Sequence, residues 1–159
     1  MSIDLIKDYL SYDECSGLFR FSLDYHKFKA DDVVGTITKK GYVSIKILGL
    51  RFLSHRLAWF YVNGKWPSGD IDHIDGNPLN NSINNLRDVS RLLNLQNQKK
   101  AHKNNISGFL GVEKNGDRWR ARIRVNKVRI DLGTFDTPEE AHKAYMNAKK
   151  TLHEGFVDI

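Results

Sequence analysis

A single cysteine in 159 residues, Cys15, is the first constraint on this chain. No disulfide can form within it, and a cysteine-rich zinc site would need a second chain. No apolar run approaches the roughly 20 residues that cross a bilayer. Met1-Ser2-Ile3-Asp4-Leu5 has no basic stretch leading into an apolar one. The sequence therefore reads as soluble and intracellular, with no membrane association. Cys15 reads as a small core residue. Hydrophobic content of 40% is enough for one modest core or two small ones.

What is present in excess is positive charge, and it is local. The net charge of +6 divides into −3 over residues 1–32, +4 over 33–94, +7 over 95–135 and −2 over 136–159. An excess concentrated in about forty residues points to a polyanion-binding surface, because a merely soluble basic protein spreads its charge.

Local pattern gives an α+β organisation. Short apolar-aromatic runs (18–21, 33–37, 41–47), broken by Lys39-Lys40-Gly41 and Leu48-Gly49-Leu50, predict hairpins in the first fifty residues. A helix is expected over 53–63, with Ser54 as N-cap and Gly64 as its end. Asp70 to Asn77 reads as a short strand entering a tight turn. A second helix is expected from Ser90 to about Lys100, with Leu92, Leu93 and Leu95 on its buried side. Residues 99–107 are polar and aperiodic, as in a linker. Strands follow at 109–113, 118–125 and 128–132. The last helix has Thr137 as N-cap, Pro138 in its first position and Glu139-Glu140 in its first turn, ending near Gly155.

Between Asp72 and Asn97 lie Asp72-His73, the turn Asp75-Gly76-Asn77, Asn84-Asn85 before Leu86, and Asn94 in a helix. His73 precedes Asn85 by twelve residues and Asn94 by twenty-one. This ordered set resembles the HNH endonucleases, and within them the phage and intron-encoded homing enzymes. His55-Arg56-Leu57-Ala58-Trp59 also looks like that family. The resemblance implies a nuclease domain over 1–98, made of a β-rich part (1–50) and a ββα-metal core (53–98). It implies one divalent cation, magnesium or manganese, and products with a 5′-phosphate and a 3′-hydroxyl. The chemistry asks for an activated water and charge stabilisation on the phosphoryl oxygens. Magnesium takes oxygen ligands and keeps waters and substrate phosphate, so two protein ligands suffice. Asp72 and Asn94 are the candidates, with Asn97 as the rival of Asn94. His73 is the candidate general base, and Asn85 the residue expected to orient its ring. His55 reads as a packing or hydrogen-bonding residue; His26, His102, His142 and His153 read as surface or structural.

The segment 118–125, Arg-Trp-Arg-Ala-Arg-Ile-Arg-Val, alternates with period two. A strand here sets Arg118, Arg120, Arg122 and Arg124 on one face and Trp119, Ala121, Ile123 and Val125 on the other. Lys114, Lys127, Arg129, Lys99, Lys100 and Lys103 complete the expected DNA-contacting set. Gly111-Val112, Trp119 to Ile123, Leu132-Gly133-Thr134-Phe135 and Thr137 to Tyr145 resemble the Apetala-two or ethylene-response-factor domain. That resemblance implies a βββα DNA-binding domain over 108–159 with its sheet in the major groove. Asp131 stands where those domains often carry tryptophan, so their base preference does not transfer. The partner expected is double-stranded DNA, bound by a monomer with no obligatory protein partner, in a bacterial host cytoplasm if the chain is phage-encoded. A non-catalytic DNA-binding regulator is the alternative. An RNA-directed protein is a weaker third reading, because a rigid arginine sheet suits the DNA major groove better.

Overall fold

The computed structural model describes residues 5–158. The chain falls into two compact units, Met1–Ser90 and Arg91–Ile159. The first opens with α1 (Leu5–Tyr9), β1 (Leu10–Tyr12), β2 (Phe19–Phe21) and β3 (Val33–Val34), then β4 (Thr36–Ile37), β5 (Val43–Ile47) and β6 (Leu50–Leu53). Strands β1-β2-β3 and β4-β5-β6 form two antiparallel three-stranded sheets. These are the expected hairpins. Leu48 and Gly49, both with positive φ, make the two-residue turn between β5 and β6.

Helix α2 (Ser54–Asn63) follows β6 without a loop and ends at Gly64 in the left-handed conformation. Ser54 is not its N-cap. Leu53 is still held extended by pairing with Ser44, so the chain turns helical one residue later and Ser54 becomes the first, buried, helical residue. The buried face of α2 (Leu57, Ala58, Phe60) closes a core of Ile6, Leu10, Phe19, Phe21, Ile45, Ile47, Ile71 and Leu86. Burying such side chains contributes about 1.5–3 kcal/mol each before the entropy of ordering is counted. The Tyr61 hydroxyl lies within hydrogen-bond reach of the Ile6 and Leu10 carbonyls, tying α2 to the N-terminal segment. Cys15 sits in the exposed turn between β1 and β2, not in the core, because that core is filled by larger side chains from the strands.

After α2 come β7 (Asp70–His73), a single 3-10 turn (Ile83–Asn85) and β8 (Leu86–Val89). β7 and β8 pair antiparallel, Asp70 opposite Val89 and His73 opposite Leu86. The Asp88 carboxylate accepts the backbone N–H of Ser68 and Gly69 and the Ser68 hydroxyl, which fixes the turn into β7.

The second unit holds α3 (Arg91–Gln96), β9 (Val112–Asn115), β10 (Arg118–Val125), β11 (Val128–Phe135) and α4 (Pro138–Leu152). Helix α3 ends at Gln96, short of Lys100. Its deeply buried neighbourhood is polar: Gln96 and Asn97 are buried, whereas Leu92 and Leu95 are exposed. The cause lies in the C-terminal tail. Gly155 N–H donates to Gln96 Oε1 (2.8 Å), Val157 N–H to Asn97 Oδ1 (3.2 Å) and Lys149 Nζ to the Gln98 carbonyl (2.5 Å).

The sheet order is β11-β10-β9. β9 begins at Val112 because Asn105 draws the preceding residues into a loop: its Oδ1 accepts from Ser107 and Gly108, and its Nδ2 donates to the Phe109 carbonyl. β11 is longer than expected and carries a bulge at Leu132, where the register shifts opposite Ala121/Arg122. Helix α4 starts with a reciprocal capping box between Thr137 and Glu140, with Pro138 in the first turn. Ala121 and Ile123 of β10 pack on Ala141 and Tyr145 of α4. No described helix is long and apolar enough to cross a membrane.

Candidate functional site

The β7-β8 hairpin brings Asp72 and His73 to the inner end of a short ladder, both buried. The loop that joins the strands is organised by asparagine. Asn85 Nδ2 donates to Asp75 Oδ1 (3.0 Å) and to the Asn80 carbonyl (2.8 Å), while Asn85 Oδ1 accepts the Asp75 N–H (3.0 Å). Asn80 Nδ2 donates to the other Asp75 oxygen (2.8 Å). Burial pushes the Asp75 carboxyl up, but these donors and the Asn77 N–H outweigh it and hold it below its ordinary value.

Asn85 is therefore spent on the loop, and the amide that meets the His73 ring belongs to Asn81. Asn81 Oδ1 lies 3.1 Å from His73 Nε2. Its Nδ2 donates to the Leu79 carbonyl (3.3 Å), which sets the orientation of the amide and leaves the oxygen facing the imidazole. An oxygen only accepts, so Nε2 carries the proton and the lone pair of the neutral ring sits on Nδ1. Burial pulls the His73 pKa below its ordinary value, against the opposing effects of Asn81, Asp75 and Asp72. The ring is thus neutral near pH 7.

Asn81 is itself clamped from the N-terminal sheet. The Tyr12 hydroxyl donates to the Asn81 carbonyl (2.8 Å), and burial keeps that phenol protonated by raising its pKa. Ser82 Oγ and the Ile83 N–H both donate to the Glu14 carbonyl. Residues 12–17 consequently hold the segment that orients His73. The sequence contains Asn77, Asn80, Asn81, Asn84 and Asn85 within nine positions, and nothing local separates the one that faces the histidine.

Asp72, 5% exposed, accepts Arg87 through Oδ2, from both Nε and Nη2 at 2.7 Å. Asn94 is half-buried on α3 and Asn97 follows that helix, its side-chain oxygen taking the Val157 N–H. Asp72 lies in the first unit and both asparagines in the second. Among the described residues no group of three or more His, Cys, Asp or Glu could hold a metal ion. The donor at hand, a fixed carboxylate beside a neutral imidazole, fits a hard cation that keeps water and phosphate in its shell.

His55 of α2 stands edge-to-face with His73, ring centroids 5.2 Å apart, and with Tyr42 at 5.3 Å. Its Nδ1 is buried without a hydrogen-bond partner. Burial, then the charges of His73 and Arg56, lower its pKa from 6.5 to about 4. The unfolded chain thus takes up a proton that the folded one refuses. Stability is full above pH 6.5 and falls as pH drops towards 4, at most about 1.4 kcal/mol per pH unit. In thermal unfolding, His55→Phe is expected to show a smaller drop in Tm between pH 7 and pH 5 than wild type. An equal drop in both would exclude His55 as a source.

The arginine row lies where alternation puts it: Ala121 and Ile123 are buried, and Arg118 and Arg124 exposed on the opposite face. Acidic neighbours take up much of that face. Arg118 pairs with Asp136 (2.9 Å), Arg122 with Glu113 (2.6 Å), and Asp131 lies between Arg120 (3.7 Å) and Arg122 (3.8 Å). Arg124 and Arg129 stand directly opposite each other, with Lys127 in the adjoining turn, and no ion pair joins any of the three among the described residues. Lys114 stands opposite Trp119, so register puts it on the helix side of the sheet, away from the arginines. Lys99 Nζ donates to the Val157 carbonyl and lies over the Phe156 ring; Lys100 and Lys103 are on the surface.

Residues 52–96 match the family described as HNH endonuclease. Protein 3.8 of Escherichia phage T7 is 34% identical over 105 residues, covering 64% of this chain and 85% of that protein. An uncharacterized HNH endonuclease, L560, of Acanthamoeba polyphaga mimivirus is 31% identical over 109 residues, and the chain spans about half of it (56%). The ethylene-responsive transcription factor ERF084 of Arabidopsis thaliana is 50% identical over 48 residues, 28% of this chain and 19% of that one. No solved structure matches. The HNH match and its viral relative support a nuclease function in general terms. With 85% of Protein 3.8 covered at 34% identity, the chain belongs to the family of that phage protein and carries within it, at residues 52–96, an HNH endonuclease domain.

Proposed function

We propose that the chain is a metal-dependent DNA endonuclease of the phage or homing type. It hydrolyses phosphodiester bonds to 5′-phosphate and 3′-hydroxyl ends, one strand per active centre, and uses residues 109–135 to read double-stranded DNA. The observation that carries this reading is the Asn81–His73 contact, which leaves a lone pair on Nδ1 of a neutral, buried imidazole. A ring so held suits a general base: Nδ1 takes the proton of the attacking water while Nε2–H stays on Asn81. Asp72 is the residue to hold the cation, and Arg87 keeps its carboxylate in one orientation through Oδ2. Asn94 is proposed as a further oxygen ligand on its sequence spacing alone. When bound, a divalent cation, magnesium or manganese, supplies charge stabilisation on the phosphoryl oxygens and on the departing oxygen. Asn85 acts earlier in the chain of causes, by fixing the loop that carries Asn81.

In the second unit, the uncompensated Arg124, Lys127 and Arg129 are the first contacts expected for backbone phosphates. Arg120 and Arg122 must exchange Asp131 and Glu113 for DNA. Likeness to an ethylene-responsive factor over 48 residues supports the DNA-reading role.

The test is supercoiled plasmid incubated with the protein in magnesium, then with excess chelator. Relaxed or linear product that forms only with the cation is the expected result. Site-preferring binding with no cleavage in magnesium or manganese would replace the nuclease by the DNA-binding regulator.

A further inference from the structure

Within the second unit, residues of the segment 99–110 and His142 of α4 line an open concavity of about 480 Å3. Lys99, Lys100, Lys103, His102, Asn105 and His142 supply its polar wall, and none of the described residues lining it is acidic. This contrasts with Arg118, Arg120 and Arg122 of the sheet, which have Asp136, Asp131 and Glu113 beside them. Lys100 and Lys103 have no ion pair among the described residues. The Lys99 ammonium is taken by Val157 and Phe156, which leaves those of Lys100 and Lys103 on the concavity; like charges there repel, and an anion relieves that repulsion.

The walls are built in advance. Lys99 is pinned on its Val157 and Phe156 contacts. Asn105 uses both ends of its amide on the backbone of 107–112, which makes the rim a fixed loop. His142 donates Nδ1–H to the Leu110 carbonyl (3.1 Å), and its ring packs against Phe109, centroids 5.0 Å apart. A preformed, cationic concavity in the size range of small-ligand sites suits a tetrahedral phosphate better than a carboxylate, which needs fewer donors.

We propose that this cavity is a phosphate-binding site that holds a single backbone phosphodiester of the bound DNA, separate from the arginine sheet. The proposal rests on the DNA-binding reading above. One occupant has a quantitative signature. Filling one site with one phosphate releases about one counterion, a slope of about +0.9 in log Kd against log salt. Lys100→Ala, Lys103→Ala and the double variant should then each lose about one unit of slope, converging on the same value. Two lysines meeting separate phosphates would lose about two units in the double variant.

The experiment uses the full chain in two arms. In the first, anisotropy of a labelled duplex is measured across a salt series for wild type and the three variants. In the second, the His142 and His102 ring resonances are followed by NMR during titration with inorganic phosphate, and then with duplex DNA. Converging slope losses with DNA-induced shifts of His142 support the phosphodiester. Saturable shifts with inorganic phosphate and unchanged DNA slopes keep the phosphate chemistry but assign it to a free phosphate, overturning the backbone source. Unchanged slopes with no shift in either titration overturn the site. Plasmid cleavage by the same variants separates the two readings: a cleaving protein with unchanged slopes loses only the cavity, while converging slopes without cleavage lose only the nuclease.

Discussion

Replacing His73 by alanine is expected to lower magnesium-dependent plasmid cleavage by about 10²- to 10⁴-fold, the usual worth of a positioned general base, while leaving duplex binding close to wild type. The side chain is buried, so the folded state needs a separate check: circular dichroism and Tm of the variant, with cleavage measured well below its unfolding temperature. The pH profile distinguishes a base from a merely structural ring. Only the neutral imidazole accepts a proton, and burial keeps its pKa below 6.5, so wild-type cleavage should hold its plateau down to about pH 6.5 and fall below it. Asn81→Asp sets a carboxylate against Nε2–H, favours the charged ring, and should move that acid limb to higher pH. Cleavage that persists in His73→Ala with the wild-type profile would remove His73 from the chemistry.

The second large effect is expected at a residue that touches no reacting group. A Cβ placed on Gly17 would lie 2.2 Å from the carbonyl carbon of Asn81 and 2.2 Å from the Ser82 nitrogen, both backbone atoms. Its φ of +72° adds the left-handed penalty of about 1–2 kcal/mol, and forced displacement of packed backbone adds about 1–3 kcal/mol. Gly17→Ala should therefore destabilise the protein by about 2–5 kcal/mol in urea unfolding. It should also reduce cleavage under conditions where the protein is still folded, because the atoms pushed aside carry the amide that orients His73. Gly49→Ala is the control. Its φ is +77° but nothing lies within 4 Å of the added carbon, so only the left-handed term of about 1–2 kcal/mol remains. Equal losses at the two positions would mean that the contact with Asn81–Ser82 carries no weight.

These two sites show where the sequence could be read and where it could not. Asp72-His73 is legible as a pair because strand alternation and the Asp-Gly-Asn turn leave little choice about its local structure. The partner of His73 is not legible. Asn85 is prominent by its place before Leu86-Arg87, yet the ring meets Asn81, and the choice between them depends on how Tyr12, Glu14 and Gly17, more than sixty residues away, press on the loop. A helix-like spacing of leucines after Ser90 suggested an apolar face. Helix α3 instead buries Gln96 next to Asn97, because the returning C-terminal tail offers backbone donors that a leucine cannot accept. The period of β10 was decisive for which residues share a face, and silent about the acids beside them. Glu113 reaches Arg122, and Asp131 reaches both Arg120 and Arg122, only because β9 and β11 flank β10 in a particular register.

Local sequence alone determined that the chain is α+β, that strand 118–125 has an arginine face, that Thr137-Pro138 starts the last helix, and that Asp72-His73 ends a strand at a turn. Each of these depends on interactions within a few residues, where period and turn chemistry act directly. The tertiary structure decided which nitrogen of His73 holds the proton, which amide holds it there, which arginines are already paired, and that Lys99, Lys100 and Lys103 gather at one cavity with His142. Those outcomes depend on contacts between distant segments, and hydrogen-bond direction and charge pairing are set by distances of a few ångström that the order of residues does not specify.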